Sequence, residues 1–198
     1  MRIKTHDIDS LTDVAFRLFA QRGYDATSMD QIARAAHVTK ASIYHHVSGK
    51  EALLAHGLGR ALRALFSTLD EPASTKGSAR ERLRAIVARV AEVTMEMLPE
   101  VSVLFRVRGN SKTEKSAMER RRRFDAIVTD LVRTAQRDGD FRCDIDSGLV
   151  TRLIFGMSNS VVEWYRPSGR TPAPQIAEAV SRVVFEGASR VDGRRRRR

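Results

Sequence analysis

The feature that most narrows the fold of this chain is a helical spacing of apolar side chains repeated along most of its length. Leu11, Val14, Ala15, Leu18 and Phe19 fall at i, i+3, i+4, i+7 and i+8, one face of a helix. Met29, Ile32, Ala33 and Ala36 continue the pattern, and Leu83, Ile86, Val87, Val90 and Ala91 repeat it. So do Phe124, Ile127, Val128, Leu131, Val132 and Ala135, and a further stripe runs through Leu149, Val150, Leu153, Ile154, Met157 and Val161. No segment alternates convincingly with period two, so the spacing predicts an all-α protein of about nine helices.

Start and stop signals agree with the stripes. Ser48–Glu51, Ser78–Glu81 and Ser111–Glu114 have the form of a capping box, with serine at the N-cap and glutamate three residues on, and Thr27–Asp30 is a weaker version. Gly23, Gly139 and Arg166-Pro167-Ser168-Gly169 mark stops, and Pro172 and Pro174 suit the first turn of a last helix. With 198 residues, 42% of them hydrophobic and 30% charged, the chain has enough apolar material for a real core. The opening residues hold no apolar run, no stretch reaches the roughly 20 apolar residues of a spanning helix, and Cys143 is alone. The expectation is a cytoplasmic protein with no membrane segment.

A net charge of +11 invites a nucleic-acid reading, but its distribution is uneven. Residues 1–56 carry only +1, residues 57–193 carry +5, and Arg194 to Arg198 supply the other +5 as a basic tail. A DNA-binding role for the N-terminal segment must therefore rest on how residues are placed. Residues 27–46 break into two short helices, the first packing through Ile32, Ala33 and Ala36 and the second starting at Thr39 after a tight turn at Ala36-His37-Val38. A DNA-reading helix-turn-helix has this layout, because its second helix must offer an N-terminal end to a major groove. Thr39, Lys40, Ala41 and Ser42 are small, or long and flexible; Ile43 and Val47 pack inward, and Lys50 opens the next helix beside N–H groups suited to phosphate.

The run Leu18-Phe19-Ala20-Gln21-Arg22-Gly23-Tyr24-Asp25-Ala26-Thr27-Ser28-Met29, with Ile32-Ala33, Ala35-Ala36, Val38 to Val47 and Ser48-Gly49-Lys50-Glu51-Ala52-Leu53-Leu54, closely resembles the N-terminal domain of TetR-family transcriptional regulators. The resemblance covers about a quarter of the chain. It departs from the family at His37, where glycine is usual in the turn, and at Val47, where an aromatic is usual. It implies a helix-turn-helix DNA-binding domain at residues 1–50, an effector-binding and dimerisation domain at 51–193, and the tail at 194–198. Carried over position by position, phosphate contacts fall on Thr27, Tyr44 and Lys50, and groove contacts on Thr39, Lys40, Ser42 and His45. It further implies a homodimer on double-stranded DNA at a palindromic operator, a small-molecule effector and no cofactor, most simply a repressor released by that effector.

For the effector, candidates cluster at Met95, Met97, Phe105, Phe155, Met157, Asn159, Trp164 and Tyr165, with Arg106 and Arg108 beside an apolar run. Core packing is the better account of the methionines and phenylalanines; Asn159 stands out as an amide within an apolar stripe. Phe105, Arg106, Phe155, Asn159 and Trp164 form the expected ligand set. Trp164-Tyr165-Arg166-Pro167-Ser168-Gly169 is similar to a segment of TetR-family regulators that sense acyl-CoA thioesters, and Arg120 to Arg123, expected at the start of a long helix, offer cations for phosphates. The last two helices, about 146–165 and 172–190, are expected to form the dimer face through Leu149, Leu153 and Val161 on one and Ile176, Val180, Val183 and Val184 on the other.

Enzyme chemistry finds little support. His45 and His46 diverge by roughly 100° on a helix and cannot share an ion, Glu51 and His56 lack a ligand spacing, and no glycine-rich phosphate loop occurs. The competing function is a basic protein that coats nucleic acid without sequence preference, driven by the arginine tail.

Overall fold

A computed structural model describes residues 7–186, and within them the chain forms ten α-helices and no strand. The first four are α1 (Ile8–Arg22), α2 (Met29–Ala36), α3 (Lys40–Tyr44) and α4 (Lys50–Ser67); α5 (Pro72–Thr75) is a single turn. The others are α6 (Ala79–Glu96), α7 (Leu98–Arg106), α8 (Lys112–Arg137), α9 (Ser147–Trp164) and α10 (Ala173–Glu186). The excess over nine comes from short elements: Pro72 starts α5, and Pro99 in the first turn of α7 separates it from α6 at Met97. The tail at 194–198 lies outside the described residues.

The caps differ from expectation in instructive ways. Ser78 and Glu81 form the expected box. At the start of α2 the box belongs to Ser28 and Gln31, so Thr27 is not the cap; it is buried, and its hydroxyl donates to the Gly23 carbonyl at 2.7 Å. Ser48 stands one residue too early, and Gly49 caps α4 without a side-chain bond. Ser111 caps α8, but the Glu114 carboxylate turns to the preceding loop and accepts from the backbone N–H groups of Arg108, Gly109 and Asn110 at 2.8–3.0 Å.

Two packed regions result. In the first, α1 packs on α2, α4 and α7 around Leu11, Phe16, Phe19, Ile32, Ile43 and Leu54, all at most 1% exposed. Phe16 and Phe19 meet edge to face with ring centres 5.4 Å apart, and Phe19 meets Tyr24 at 5.1 Å. Gly57 of α4 is required here, because a Cβ would lie 2.1 Å from the Phe16 ring. In the second region α6 is central, flanked by α8, α9 and α10, while α4 runs from the first region into the second beside α8. Phe124 joins Phe66 and Phe155 at centroid distances of 5.6 and 5.7 Å. No described helix is long and apolar enough to cross a membrane.

Candidate DNA-reading head and effector cavity

The turn between α2 and α3 is left-handed at His37, with φ 57° and ψ 40°, in the place where glycine would be free of strain. Its amide and that of Val38 close the end of α2 on Arg34 and Ala33. Thr39 then caps α3, its hydroxyl accepting from the Ser42 amide at 3.1 Å. Ile43 and Val47 are buried, anchoring α3 and turning the other face outward. On that face stand Lys40, Ala41, Tyr44 and His45, with Tyr44 48% exposed; Ser42 is half-buried. Lys40 and Tyr44 are one turn apart and so share a side of the helix. The Lys40 ammonium lies 3.1 Å from the Asp30 carboxylate of α2, an exposed pair readily exchanged for another anion.

Lys50 holds a position that the sequence does not reveal. Its ammonium donates to the carbonyls of Tyr24 and Thr27 at 2.8 and 2.9 Å and lies 4.2 Å from the centre of the Tyr24 ring. The Tyr24 hydroxyl donates to Glu51 at 2.8 Å; burial first, then that carboxylate, pushes the phenol well up. The nearby Thr113 foremost, then Ser111 and the Tyr24 hydroxyl, hold the Glu51 carboxyl down. Lys50 thus pins the α1–α2 loop to α4. Lys50→Ala is expected to cost about 2 kcal/mol through lost charge-assisted bonds, lowering Tm by roughly 4–8 °C. A thermal melt within about 1 °C of the parent protein would remove this pinning role.

A cavity of about 890 Å³ opens between α8 and α9. Leu65, Val90, Phe105, Phe124 and Phe155 supply its apolar lining. Its polar walls come from Arg121, Arg122, Asp125 and Arg133 on α8 and from Thr151, Arg152 and Asn159 on α9. The two helices are fixed in register where the Thr129 hydroxyl meets the Thr151 hydroxyl at 3.1 Å. Of the expected ligand set, Phe105, Phe155 and Asn159 line this cavity. Arg106 and Trp164 do not. Arg106 donates to the Ala20 carbonyl of α1 at 2.6 Å, and Trp164 is 54% exposed at the end of α9.

The arginine run lies within α8, past its first two turns, and its members separate as a helix dictates. Arg120 lies over the Phe66 ring, Arg122 borders the cavity, and Arg123 is exposed. Arg121 borders the cavity while donating to the Leu104 carbonyl at 3.4 Å. The signal that the sequence reading missed is the polar stripe Arg121, Asp125, Thr129 and Arg133, spaced by four, facing Thr151, Phe155, Asn159 and Glu163 at the same spacing.

On α9 the outer face carries Leu149, Leu153, Met157 and Trp164, each 38–60% exposed, and α10 adds Val183 at 41%. Val161, expected on that face, is fully buried, and Ile176 and Val180 pack inward against the core. Among the described residues no group of histidine, cysteine, aspartate and glutamate is arranged to hold a metal.

The profile of the tetracyclin repressor-like C-terminal domain matches residues 76–188, and that of the bacterial regulatory proteins of the tetR family matches residues 11–56. The chain belongs to the TetR family. As a TetR regulator it is a DNA-binding transcription factor with no enzymatic role. This regulator is 29% identical to the HTH-type transcriptional repressor KstR2 of Rhodococcus jostii (strain RHA1) over 180 residues, 89% of this chain and 88% of that one. Among solved structures it is similar to SCO3833, a TetR-family member from Streptomyces coelicolor A3, at 48% identity and TM-score 0.86, covering 96% of this chain and 94% of the other. It is also similar to AibR in complex with isovaleryl coenzyme A and operator DNA, at 25% identity and TM-score 0.78, covering 90% and 97%. Family membership displaces the reading as a non-specific nucleic-acid coat, whose driving tail lies outside the described residues.

Proposed function

We propose that this TetR regulator is a repressor that binds a palindromic operator as a homodimer and leaves it when an acyl-CoA thioester enters the α8–α9 cavity. The observation that carries the effector reading is the cavity itself: an aromatic and aliphatic lining for an acyl chain, bordered by Arg121, Arg122, Arg133 and Arg152 for phosphates. The likeness to AibR, solved with isovaleryl coenzyme A, supports it. At the DNA, Lys40, Tyr44 and His45 offer the exposed face of α3, with Thr39 holding its start and Ser42 behind. Thr27 and Lys50 serve by shaping the loop whose backbone meets phosphate.

A physical route joins the two sites. Arg121, at the cavity, donates to Leu104 near the end of α7 and lies over the Phe105 ring at 5.8 Å. The next residue, Arg106, donates to Ala20 near the end of α1, in the reading head. A ligand phosphate that recruits Arg121 withdraws a donor from α7 and weakens its hold on α1. The ligand then favours a spacing of the two heads that no longer matches successive major grooves.

Titrating the purified protein–operator complex with acyl-CoA thioesters, followed by anisotropy of labelled DNA, tests this reading. Release at micromolar thioester and none with coenzyme A alone is expected; retention of DNA at every chain length contradicts it. The dimer is tested separately. Leu153, 60% exposed in the middle of the α9 stripe, belongs to the mating face in this reading. Leu153→Glu is expected to give monomers by light scattering and at least a tenfold loss of operator affinity. A dimer that persists unchanged places the interface elsewhere.

A further inference from the structure

One side chain in the cavity runs against a plain fatty-acyl ligand. Asp125 lines it one turn from Arg121 and one turn from Thr129, half-buried, on the same α8 wall as Arg121 and Arg133. Among the described residues its carboxylate accepts no hydrogen bond and enters no ion pair; only its backbone carbonyl is used, by Thr129. Arg121, the nearby cation, is directed instead at the Leu104 carbonyl and the Phe105 ring. Burial pushes the Asp125 carboxyl up, and the charge of Arg121 offsets this only in part.

Asn159 adds a second open demand. It reaches the same cavity from α9, half-buried, and its amide likewise makes no hydrogen bond among the described residues. The Thr129–Thr151 contact sets the register of the antiparallel pair. Moving toward the start of α8 from Thr129 is moving toward the end of α9 from Thr151, so Asp125 and Asn159 fall at neighbouring levels of the cavity. A saturated hydrocarbon chain laid between them strips water from both and returns nothing, a penalty that is larger for the carboxylate than for the amide. A keto group satisfies Asn159 alone, because a carboxylate needs a donor. An ammonium answers Asp125 but meets Arg121, Arg122 and Arg152 on the same walls.

We infer that the effector carries a hydroxyl on its acyl portion, donated to Asp125 and within reach of Asn159, so that the cavity selects hydroxyacyl thioesters over saturated ones. This rests on the thioester reading above and makes Asp125 the specificity-determining residue. Ordering the acyl chain also fixes the thioester end against the arginines, so a satisfied Asp125 strengthens the pull on Arg121.

The test compares dissociation constants, by calorimetry on the full chain, for saturated acyl-CoAs and for hydroxyacyl-CoAs of equal length with the hydroxyl at successive carbons. At least one hydroxyl position is expected to bind about tenfold tighter than its saturated counterpart. Asp125→Leu is expected to abolish that preference and tighten the saturated chain; Asp125→Asn, which keeps shape and an acceptor, retains part of it and guards against a folding defect in the leucine variant. Equal affinities at every hydroxyl position, or a preference that survives Asp125→Leu, overturns this inference alone. Absence of binding by both series overturns the thioester reading along with it.

Discussion

Phe16→Ala is expected to cost about 3–5 kcal/mol and to lower Tm by roughly 6–20 °C, the largest effect of any single truncation in the reading head. Phe16 has no exposed surface, meets Phe19 edge to face, and lies against Gly57 so closely that α4 can carry no side chain there. The ring is the contact through which α1 seats on α4, and its loss leaves a cavity that neither helix can close without moving the reading head. Operator affinity should fall together with stability. The reciprocal change makes the point sharper. Gly57→Ala places a methyl group inside the Phe16 ring and should itself be destabilising, whereas Phe16→Leu combined with Gly57→Ala should recover part of the loss. Strict additivity in denaturant melts would show that the two sites do not touch as described.

The second large effect belongs to Arg60. Its guanidinium contacts Asp13 at 2.8 Å and Asp9 at 3.4 Å on α1, and the buried Glu100 of α7 at 3.4 Å. His56, one turn earlier on α4, lies 2.9 Å from Asp9. The helices α1, α4 and α7 thus share one cation. Arg60→Ala leaves Glu100, 5% exposed, as a charge without its counter-ion. Removing one partner of a fully buried pair costs about 3–5 kcal/mol; Arg60 itself is a quarter exposed, so about 2–3 kcal/mol is expected here. Arg60→Met with Glu100→Gln should restore most of that stability, because a neutral pair has no stranded charge. The double variant should still bind operator more weakly, since the ionic tie of α1 to α4 and α7 through Arg60 is lost. A single variant that melts within about 0.5 kcal/mol of the parent would place Glu100 in contact with water.

The sequence was most legible where local rules and tertiary need agree. The apolar stripes, the turn at His37 and the cap at Ser78 all follow from spacing and capping chemistry that act within a few residues, and the structure reproduces them. The misreadings share one cause. Ser48, Thr27 and Glu114 carry plausible cap chemistry, but the path of the preceding loop decides their fate: α4 starts one residue past Ser48, the buried Thr27 hydroxyl turns back to Gly23, and the Glu114 carboxylate holds the loop at Gly109. Lys50 looked like a free cation because nothing nearby in sequence discloses that the carbonyls of Tyr24 and Thr27 converge on it. Around the α8–α9 cavity, Phe105, Phe155 and Asn159 are visible in the sequence as apolar and amide exceptions, while Arg121 and Asp125 are hidden in a run of charges whose orientation only the packing of α8 on α9 determines. Val161 and Leu153 belong to one periodic stripe, and only the fold separates core from outer face.

In the proposed mechanism two copies of α3 read one operator, and occupation of the α8–α9 cavity withdraws them. Footprinting of the full-length protein on its upstream DNA, repeated with increasing thioester, addresses it directly. The expected result is one discrete protected palindrome, its two half-sites about one helical turn apart, that disappears as a unit when thioester is added. A uniform, salt-sensitive coating of the DNA, or a palindrome that stays protected at saturating thioester, would contradict it.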